Sequence, residues 1–180
     1  MYLLGRVDFQ SALKLQDRWV YELSGRRDRM GVLLMCEHPP LVTIGREGSR
    51  SDLLVDERDL AARLMPLHWS SRGGGAMIHA PGQLAVYPIL PLDRLGLGLA
   101  AYRRCLEQAV VDTCVDLQVA ARTDPLRPGV FGRIGQLAWL GVAVKWWVAW
   151  HGLFLNVAPP LHLLRLVRSA APGESISSLA

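Results

Sequence analysis

The sequence is poor in cysteine, and the cysteines it has do not predict a covalent or metal framework. There are three in 180 residues, and two of them, Cys105 and Cys114, lie nine residues apart on one predicted helix. At about 100° and 1.5 Å per residue they face opposite sides, roughly 13 Å apart, which is too far for a disulfide. No cysteines and histidines have zinc-ligand spacing. We therefore expect neither a disulfide framework nor a bound metal.

Long apolar runs and lysine are also scarce. No stretch reaches the eighteen or so apolar residues of a membrane span, and the first residues lack the basic and apolar segments of a signal peptide. Only Lys14 and Lys145 are lysines, while scattered arginines bring the net charge to +4. Without a basic stripe we expect no nucleic-acid partner. The sequence predicts a cytoplasmic protein with acidic partners and no membrane contact.

What is present describes one globular domain over residues 1–180. Its 51% hydrophobic and 20% charged residues are typical of a folded chain with its own core. Helical periodicity and N-capping aspartates, Asp8 and Asp56, predict four helices. They cover about 9–24, 57–64, 99–119 and 161–167. Apolar runs between turn residues predict strands at 3–7, 31–36, 41–44, 76–78, 84–90, 130–134, 136–144, 146–150 and 153–157. The fold class is α+β, with a largely antiparallel or mixed sheet.

The richest stretch is the loop around Arg72-Gly73-Gly74-Gly75. Glycines allow the backbone to approach a ligand and to adopt positive φ, and the arginine offers a fork of donors. A strand follows this loop, so it does not match a dinucleotide or P-loop motif, in which a helix follows the glycines. By itself the loop fits a tight turn between strands as well as a ligand site.

Three ordered motifs resemble the octanoyltransferases of lipoate biosynthesis, the lipoyl(octanoyl) transferase B family, also called lipoate-protein ligase B. They are Glu37-His38-Pro39-Pro40 continuing to Gly45-Arg46, the Arg72 loop continuing to His79-Ala80-Pro81-Gly82-Gln83, and His151-Gly152-Leu153-Phe154-Leu155-Asn156-Val157. The resemblance runs from about residue 30 to 179. It implies a biotin/lipoate protein ligase-like catalytic domain, with a mixed, mostly antiparallel sheet flanked by helices.

The resemblance also implies a reaction. In the family a cysteine takes an octanoyl group from acyl carrier protein, and a nearby lysine activates that thiol. The acyl group then passes to a lysine of a lipoyl domain, on the glycine-cleavage H protein or the 2-oxoacid dehydrogenase E2. No cofactor is implied. The motif alignment puts Gln136 at the lysine position, and Ser169 or Ala170 at the cysteine position.

The same motifs imply a substrate-binding set. It comprises Arg72, Gly73, Gly74, Gly75, His79, Trp139, Leu140, Gly141, His151, Gly152, Leu153 and Phe154. Trp139 stands where the family has a serine, and a tryptophan there occupies volume that the octanoyl chain uses in relatives.

Other residues give alternative chemistry. Ser169 acts as a nucleophile only if a base activates it, and His79, His151 and His162 are the candidates. Cys36 is a second candidate nucleophile, and Lys145 is expected to be exposed to solvent. Besides transfer, we consider a non-catalytic relative that binds an acyl chain or a lipoyl domain. An ATP-dependent lipoate ligase is a third hypothesis.

Overall fold

The computed structural model describes residues 1–168 and 175–180. Within these residues the chain forms ten strands, four α-helices and one short 3-10 helix, Arg50–Asp52. The strands are β1 (Tyr2–Arg6), β2 (Val32–Glu37), β3 (Leu41–Ile44), β4 (Leu67–Trp69), β5 (Ala76–His79), β6 (Gln83–Pro91), β7 (Arg122–Thr123), β8 (Val130–Phe131), β9 (Gln136–Lys145) and β10 (Val148–Asn156). The helices are α1 (Phe9–Ser24), α2 (Glu57–Ala62), α3 (Leu99–Asp116) and α4 (Leu161–Leu164). None of these helices is long and apolar enough to cross a bilayer.

Seven strands form the main sheet in the order β1-β2-β6-β10-β9-β8-β7. β1 and β2 are parallel, and the other neighbours are antiparallel. The inner strand β10 is covered on both faces of the sheet. Its side chains point alternately to one face and the other, and both sets are largely buried. Val148 and Phe154 pack in the same core as α1, whereas Ala149 and Leu153 pack in the core under α3. A mixed sheet flanked by helices confirms the predicted fold class.

A smaller sheet has the order β4-β3-β5. β3 is parallel to β4 and antiparallel to β5. Val42 and Ile78 of this sheet pack with Leu60 of α2 and Leu164 of α4. A tight turn then joins β5 to β6, where the N–H of Gln83 donates to a carbonyl three residues back. The smaller sheet is thus tied to the main sheet where β6 begins.

Side-chain caps begin two of the helices, as predicted. The Asp8 carboxylate accepts hydrogen bonds from the backbone N–H groups of Gln10 and Ser11. The contact with Ser11 lowers the pKa of this carboxyl group. Asp56 accepts in the same way from the N–H of Asp59 at the start of α2. Both caps satisfy N–H groups that a helix leaves without partners.

The helix ends and some strands differ from the sequence prediction. α2, α3 and α4 are shorter than expected at their C-termini. Leu64 (φ +55°) and Gln118 (φ +59°) adopt left-handed conformations just after α2 and α3, and this conformation ends a helix. β8 ends at Phe131, since the chain turns between Gly132 and Gly135. The short strands β4 and β7 were not predicted.

The hairpin between β9 and β10 corrects one prediction. We expected a strand over 146–150 and a separate one over 153–157. Instead Trp146 (φ +53°) and Trp147 (φ +60°) form the turn, and β10 runs unbroken through Gly152. The pairs of β10 with β6 lie at 148–149 and 153–156, so His151 is not paired with β6. The His151 N–H donates to the Gln16 side chain of α1 instead, at 2.9 Å.

Candidate functional site

The glycine loop packs directly against β9, and glycine at two positions makes this possible. The Gly73 N–H donates to the Val142 carbonyl at 3.0 Å. A Cβ at Gly141 would lie 2.9 Å from Cδ of Arg72 and 3.0 Å from the Gly73 carbonyl oxygen. Gly74 has φ +80°, a conformation that other residues rarely adopt. The loop and the β9–β10 hairpin, which are distant in sequence, therefore lie together as expected.

Arg72 is buried beneath this loop, and no carboxylate of residues 1–168 or 175–180 forms an ion pair with it. Its Nε and Nη2 donate to Oγ1 of Thr43 at 3.2 and 2.8 Å. Its Nη1 donates to the Gly73 carbonyl, and its Nη2 also donates to the carbonyls of Thr43 and Gly75. Burial lowers the pKa of Arg72 to about 10. The guanidinium therefore fixes the loop backbone onto β3, and a direct contact with substrate stays a prediction.

A chain of buried hydrogen bonds continues from Thr43 to the C-terminus. The Gln83 Oε1 lies 3.2 Å from Nδ1 of His79 and can only accept, so Nδ1 carries the proton. Nε2 of His79 then accepts from the Thr43 hydroxyl at 2.8 Å. Gln83 Nε2 donates to Asn156 Oδ1 at 3.0 Å, and Asn156 Nδ2 donates to the Ser177 carbonyl at 2.8 Å. Every proton position in this chain is determined by a neighbour.

His79 is neutral because it is buried, although its hydrogen bond with Gln83 favours the protonated form. Burial lowers its pKa well below the usual value, and His38 and Arg72 add to the effect. The ring also packs edge-on against Phe154, with centroids 4.5 Å apart. His79 therefore links β3, β5 and β6 and is poorly suited to be a general base near neutral pH.

His151 makes a contact with a serine hydroxyl, at a position the sequence did not predict. Its Nε2 lies 3.2 Å from Oγ of Ser71 in the glycine loop, and its ring stacks on Trp150 at 4.3 Å. Burial, with smaller contributions from Arg72 and Arg46, lowers its pKa to about 3. Such an imidazole holds a proton weakly, so this pair lacks the basicity that an activated serine needs. The remaining nitrogen, Nδ1, is buried, and no atom in the described part of the chain forms a hydrogen bond with it.

Gln136 lies at the start of β9 and is 2% exposed. Its backbone N–H donates to the Ser175 carbonyl at 2.8 Å, and its carbonyl accepts from the Ser177 N–H at 2.9 Å. Its Nε2 donates to the carbonyls of Ala138 (3.1 Å) and Pro128 (3.3 Å), whereas Oε1 is buried and has no hydrogen-bond partner among the described residues. The position therefore holds a neutral amide. The sequence-predicted Ser169 and Ala170 lie outside the described residues.

Three other candidates lie elsewhere. Lys145 is exposed as expected, 3.3 Å from an Asp17 carboxylate oxygen and over the Trp146 ring. Cys36 is buried, and burial raises the pKa of its thiol to about 12, with a smaller effect from Glu37. His162 is exposed on α4. No group of three or more histidine, cysteine or acidic residues within 1–168 and 175–180 could hold a metal ion.

A cleft of about 180 Å³ separates the glycine loop from the start of β9. Its lining comprises Glu47, Arg72, Gly74, Gly75, Ala76, Met77, Leu126, Arg127, Pro128, Gln136, Trp139 and Leu140. The sequence-predicted Gly152, Leu153 and Phe154 do not line it. They belong to β10, which pairs with β6 and β9 beneath. The cleft thus combines polar groups near Gln136 with an apolar wall of Met77, Trp139 and Leu140.

Sequence reasoning missed the buried polar residues that hold this site. Thr43, Gln83 and Asn156 lie within the matched motifs, but the motifs do not predict their hydrogen bonds. Gln16 lies in the helix predicted over 9–24. The sequence indicates its role by placing a polar residue within the apolar face of α1, where Gln16 is fully buried. Buried polar side chains need partners, so such a residue points to a tertiary hydrogen bond.

Comparison with known proteins agrees with this fold. The model of the lipoyl protein ligase A/B catalytic domain matches residues 8–177. An octanoyltransferase of Citrifermentans bemidjiense is 39% identical over 178 residues, which cover 98% of this chain and 83% of the relative. An octanoyltransferase of Geobacter metallireducens is 36% identical, covering 98% and 81%.

Solved structures show the same architecture. Lipoate-protein ligase A bound with ATP superposes with a TM-score of 0.77 at 19% identity, covering 98% of this chain and 75% of that one. A bipartite lipoate protein ligase from Thermoplasma acidophilum gives 0.75 at 21% identity, covering 96% and 66%. At this identity the likeness shows the fold alone, and it confirms the expected ligase-like catalytic domain.

Proposed function

The chain belongs to the lipoyl protein ligase A/B catalytic domain family, and on this basis we propose that it moves an octanoyl group from acyl carrier protein to a lysine of a lipoyl domain. The named relatives at 34–41% identity are octanoyltransferases. The acceptors we propose are the lipoyl domains of the glycine-cleavage H protein or of a 2-oxoacid dehydrogenase E2.

The observation that carries this proposal is the cleft between the glycine loop and β9. Its apolar wall of Met77, Trp139 and Leu140 suits a fatty acyl tail, since each buried methylene contributes about 0.8 kcal/mol. Gly74 and Gly75 bring backbone to the same cleft. Backbone N–H groups in such a position can stabilise the oxygen of a thioester as negative charge develops.

The chemistry is an acyl transfer between a thioester and an amine. The neutral amine of the acceptor lysine attacks the thioester carbonyl, the C–S bond breaks, and the thiol of acyl carrier protein leaves with a proton. Holding both partners at one cleft lowers the barrier by removing the need for random encounter. The described residues supply this positioning. The family position for a covalent nucleophile, Ser169, lies outside them.

A second candidate function is acyl binding without transfer. The observation that favours it is Gln136. Its amide is bonded to the carbonyls of Pro128 and Ala138 and carries no charge to activate a neighbouring nucleophile. In addition, no cysteine follows Cys114 in the sequence.

One experiment separates the two functions. Octanoyl-acyl carrier protein and a lipoyl domain are incubated with the wild type, with Gln136→Lys/Ser169→Cys, and with the Citrifermentans bemidjiense relative as the active control. Intact mass spectrometry detects octanoylated lipoyl domain, and calorimetry measures binding of the acyl carrier protein. Product from the wild type supports transfer. Binding by the wild type, with product only from the double variant, supports the second function. No binding and no product contradicts both.

A further inference from the structure

Trp139 is the wall between two spaces in the protein. On one side lies the cleft of about 180 Å³. On the other lies a void of about 20 Å³, lined by Ala76, Met77, Ile78, Gln83, Leu164, Val167 and Ile176 as well as Trp139. Ala76 and Met77 also border both spaces. The void is close to the volume of a single water molecule, so it holds no ligand while the indole is in place.

The indole is held in this position by its surroundings. Trp139 is partly buried and packs against the core formed by α1, β2, β6 and β10. It pairs across the sheet with Phe154, which is fully buried. A side chain fixed in this way is a rigid stop, because close-packed neighbours leave it few other rotamers.

The lining of the void shows what a ligand beyond Trp139 would meet. Ile78, Leu164, Val167 and Ile176 are aliphatic, and Gln83 is already engaged with His79 and Asn156. Apolar surroundings favour a hydrocarbon and not a polar group. The space behind the indole would therefore suit the end of a longer acyl tail.

From this geometry we propose that Trp139 sets the length of acyl chain that the protein accepts. The tail lies along Met77 and ends against the indole, and both side chains are on the same face of the sheet. The choice of an acyl ligand rests on the proposed function, but the inference concerns binding and does not require transfer. A chain that reaches the indole gains no affinity from further methylenes, and the space behind Trp139 opens to longer chains only when the indole is removed.

The test measures affinity against chain length. Amide analogues of acyl-pantetheine, which cannot transfer their acyl group, are titrated calorimetrically as the hexanoyl, octanoyl, decanoyl and dodecanoyl forms. Each methylene that is buried raises affinity about fourfold, equivalent to ~0.8 kcal/mol. In the wild type we expect this rise to stop at octanoyl or at a shorter chain, because the indole ends the cleft. In Trp139→Ala we expect the decanoyl-to-octanoyl affinity ratio to be at least about tenfold higher than in the wild type.

Two further variants make the result interpretable. Trp146→Ala removes an indole from the exposed hairpin turn and should keep the wild-type profile. Trp139→Phe removes less volume, so it should give an intermediate ratio, and it replaces the alanine variant if circular dichroism shows that the latter is unfolded. An unchanged ratio in a folded Trp139 variant overturns the inference.

The outcome also separates this inference from the proposed function. If Trp139→Ala raises the decanoyl-to-octanoyl affinity ratio but the wild type gives no product in the transfer assay, the role of Trp139 is supported and transfer is contradicted. If the decanoyl-to-octanoyl affinity ratio is the same in the wild type and the Trp139 variants, and the transfer assay gives product, only the role of Trp139 is contradicted. If the wild type binds none of the four analogues, both proposals are wrong.

Discussion

Acid should destabilise this protein well above the pH at which its carboxylates are protonated. His38, His79 and His151 are buried, and burial lowers the pKa of all three. In the unfolded chain a histidine has a pKa of about 6.5. Below that pH the unfolded state binds protons that the folded state does not, so stability is complete above about pH 6.5 and falls as the pH decreases.

The magnitude follows from His151, whose folded-state pKa is about 3. At pH 5 an unfolded histidine is almost fully protonated, whereas His151 in the folded protein is neutral. Linkage then gives a loss of about 2 kcal/mol between pH 7.5 and 5 from this residue alone. His79 and His38 add losses of the same sign. Asp8, Asp28 and Asp124 have lowered pKa values, so their stabilising contributions are lost mostly below this window.

The assay is urea denaturation followed by circular dichroism at pH 7.5, 6 and 5. His151→Asn is the informative variant, because asparagine tolerates the left-handed backbone at this position (φ +57°) and does not titrate. Its loss between pH 7.5 and 5 should be about 2 kcal/mol smaller than that of the wild type. His162→Asn, at an exposed position, should keep the wild-type loss. A flat wild-type profile, or an unchanged loss in His151→Asn, would refute the reasoning.

Three shorter predictions test the loop, the hairpin and the thiols. Gly141→Ala places a Cβ 2.9 Å from Arg72 Cδ, so we expect about 1–3 kcal/mol lower stability and weaker acyl binding by calorimetry. Replacing Trp146-Trp147 by Asn-Gly should raise stability to urea by about 1 kcal/mol, because both residues have positive φ; unchanged or lower stability contradicts this. At pH 8 iodoacetamide should label Cys105, which is exposed on α3, and should not label Cys36. If mass spectrometry detects a modified peptide that contains Cys36, the burial of this thiol is contradicted.

The strong local signals in the sequence predicted most of the fold. Asp8 and Asp56 cap helices where the pattern put them, and the strand at Leu41–Ile44 has the predicted bounds. These features depend on residues close together in the chain. The turn at Trp146 and Trp147 was missed, because two tryptophans with positive φ contradict the usual preference for asparagine and glycine. Only the long pairing of β9 with β10 enforces it.

The site was predictable in part, for a similar reason. The matched motifs identified Arg72, His79 and Gln136, and the structure places the first two in one hydrogen-bonded chain through Thr43. The sequence did not predict that Arg72 is bonded to the loop's own carbonyls. The sequence shows that a guanidinium is present, but it does not show whether the acceptors of its hydrogen bonds belong to a ligand or to the protein. Only the tertiary contacts distinguish the two cases.

The central claim is that an acyl tail binds between the glycine loop and β9. The most direct measurement is a crystal structure of the protein with the non-transferable amide analogue of octanoyl-pantetheine. We predict hydrocarbon density along Met77 that ends at Trp139. An analogue bound elsewhere on the protein, with this cleft empty, would contradict the account.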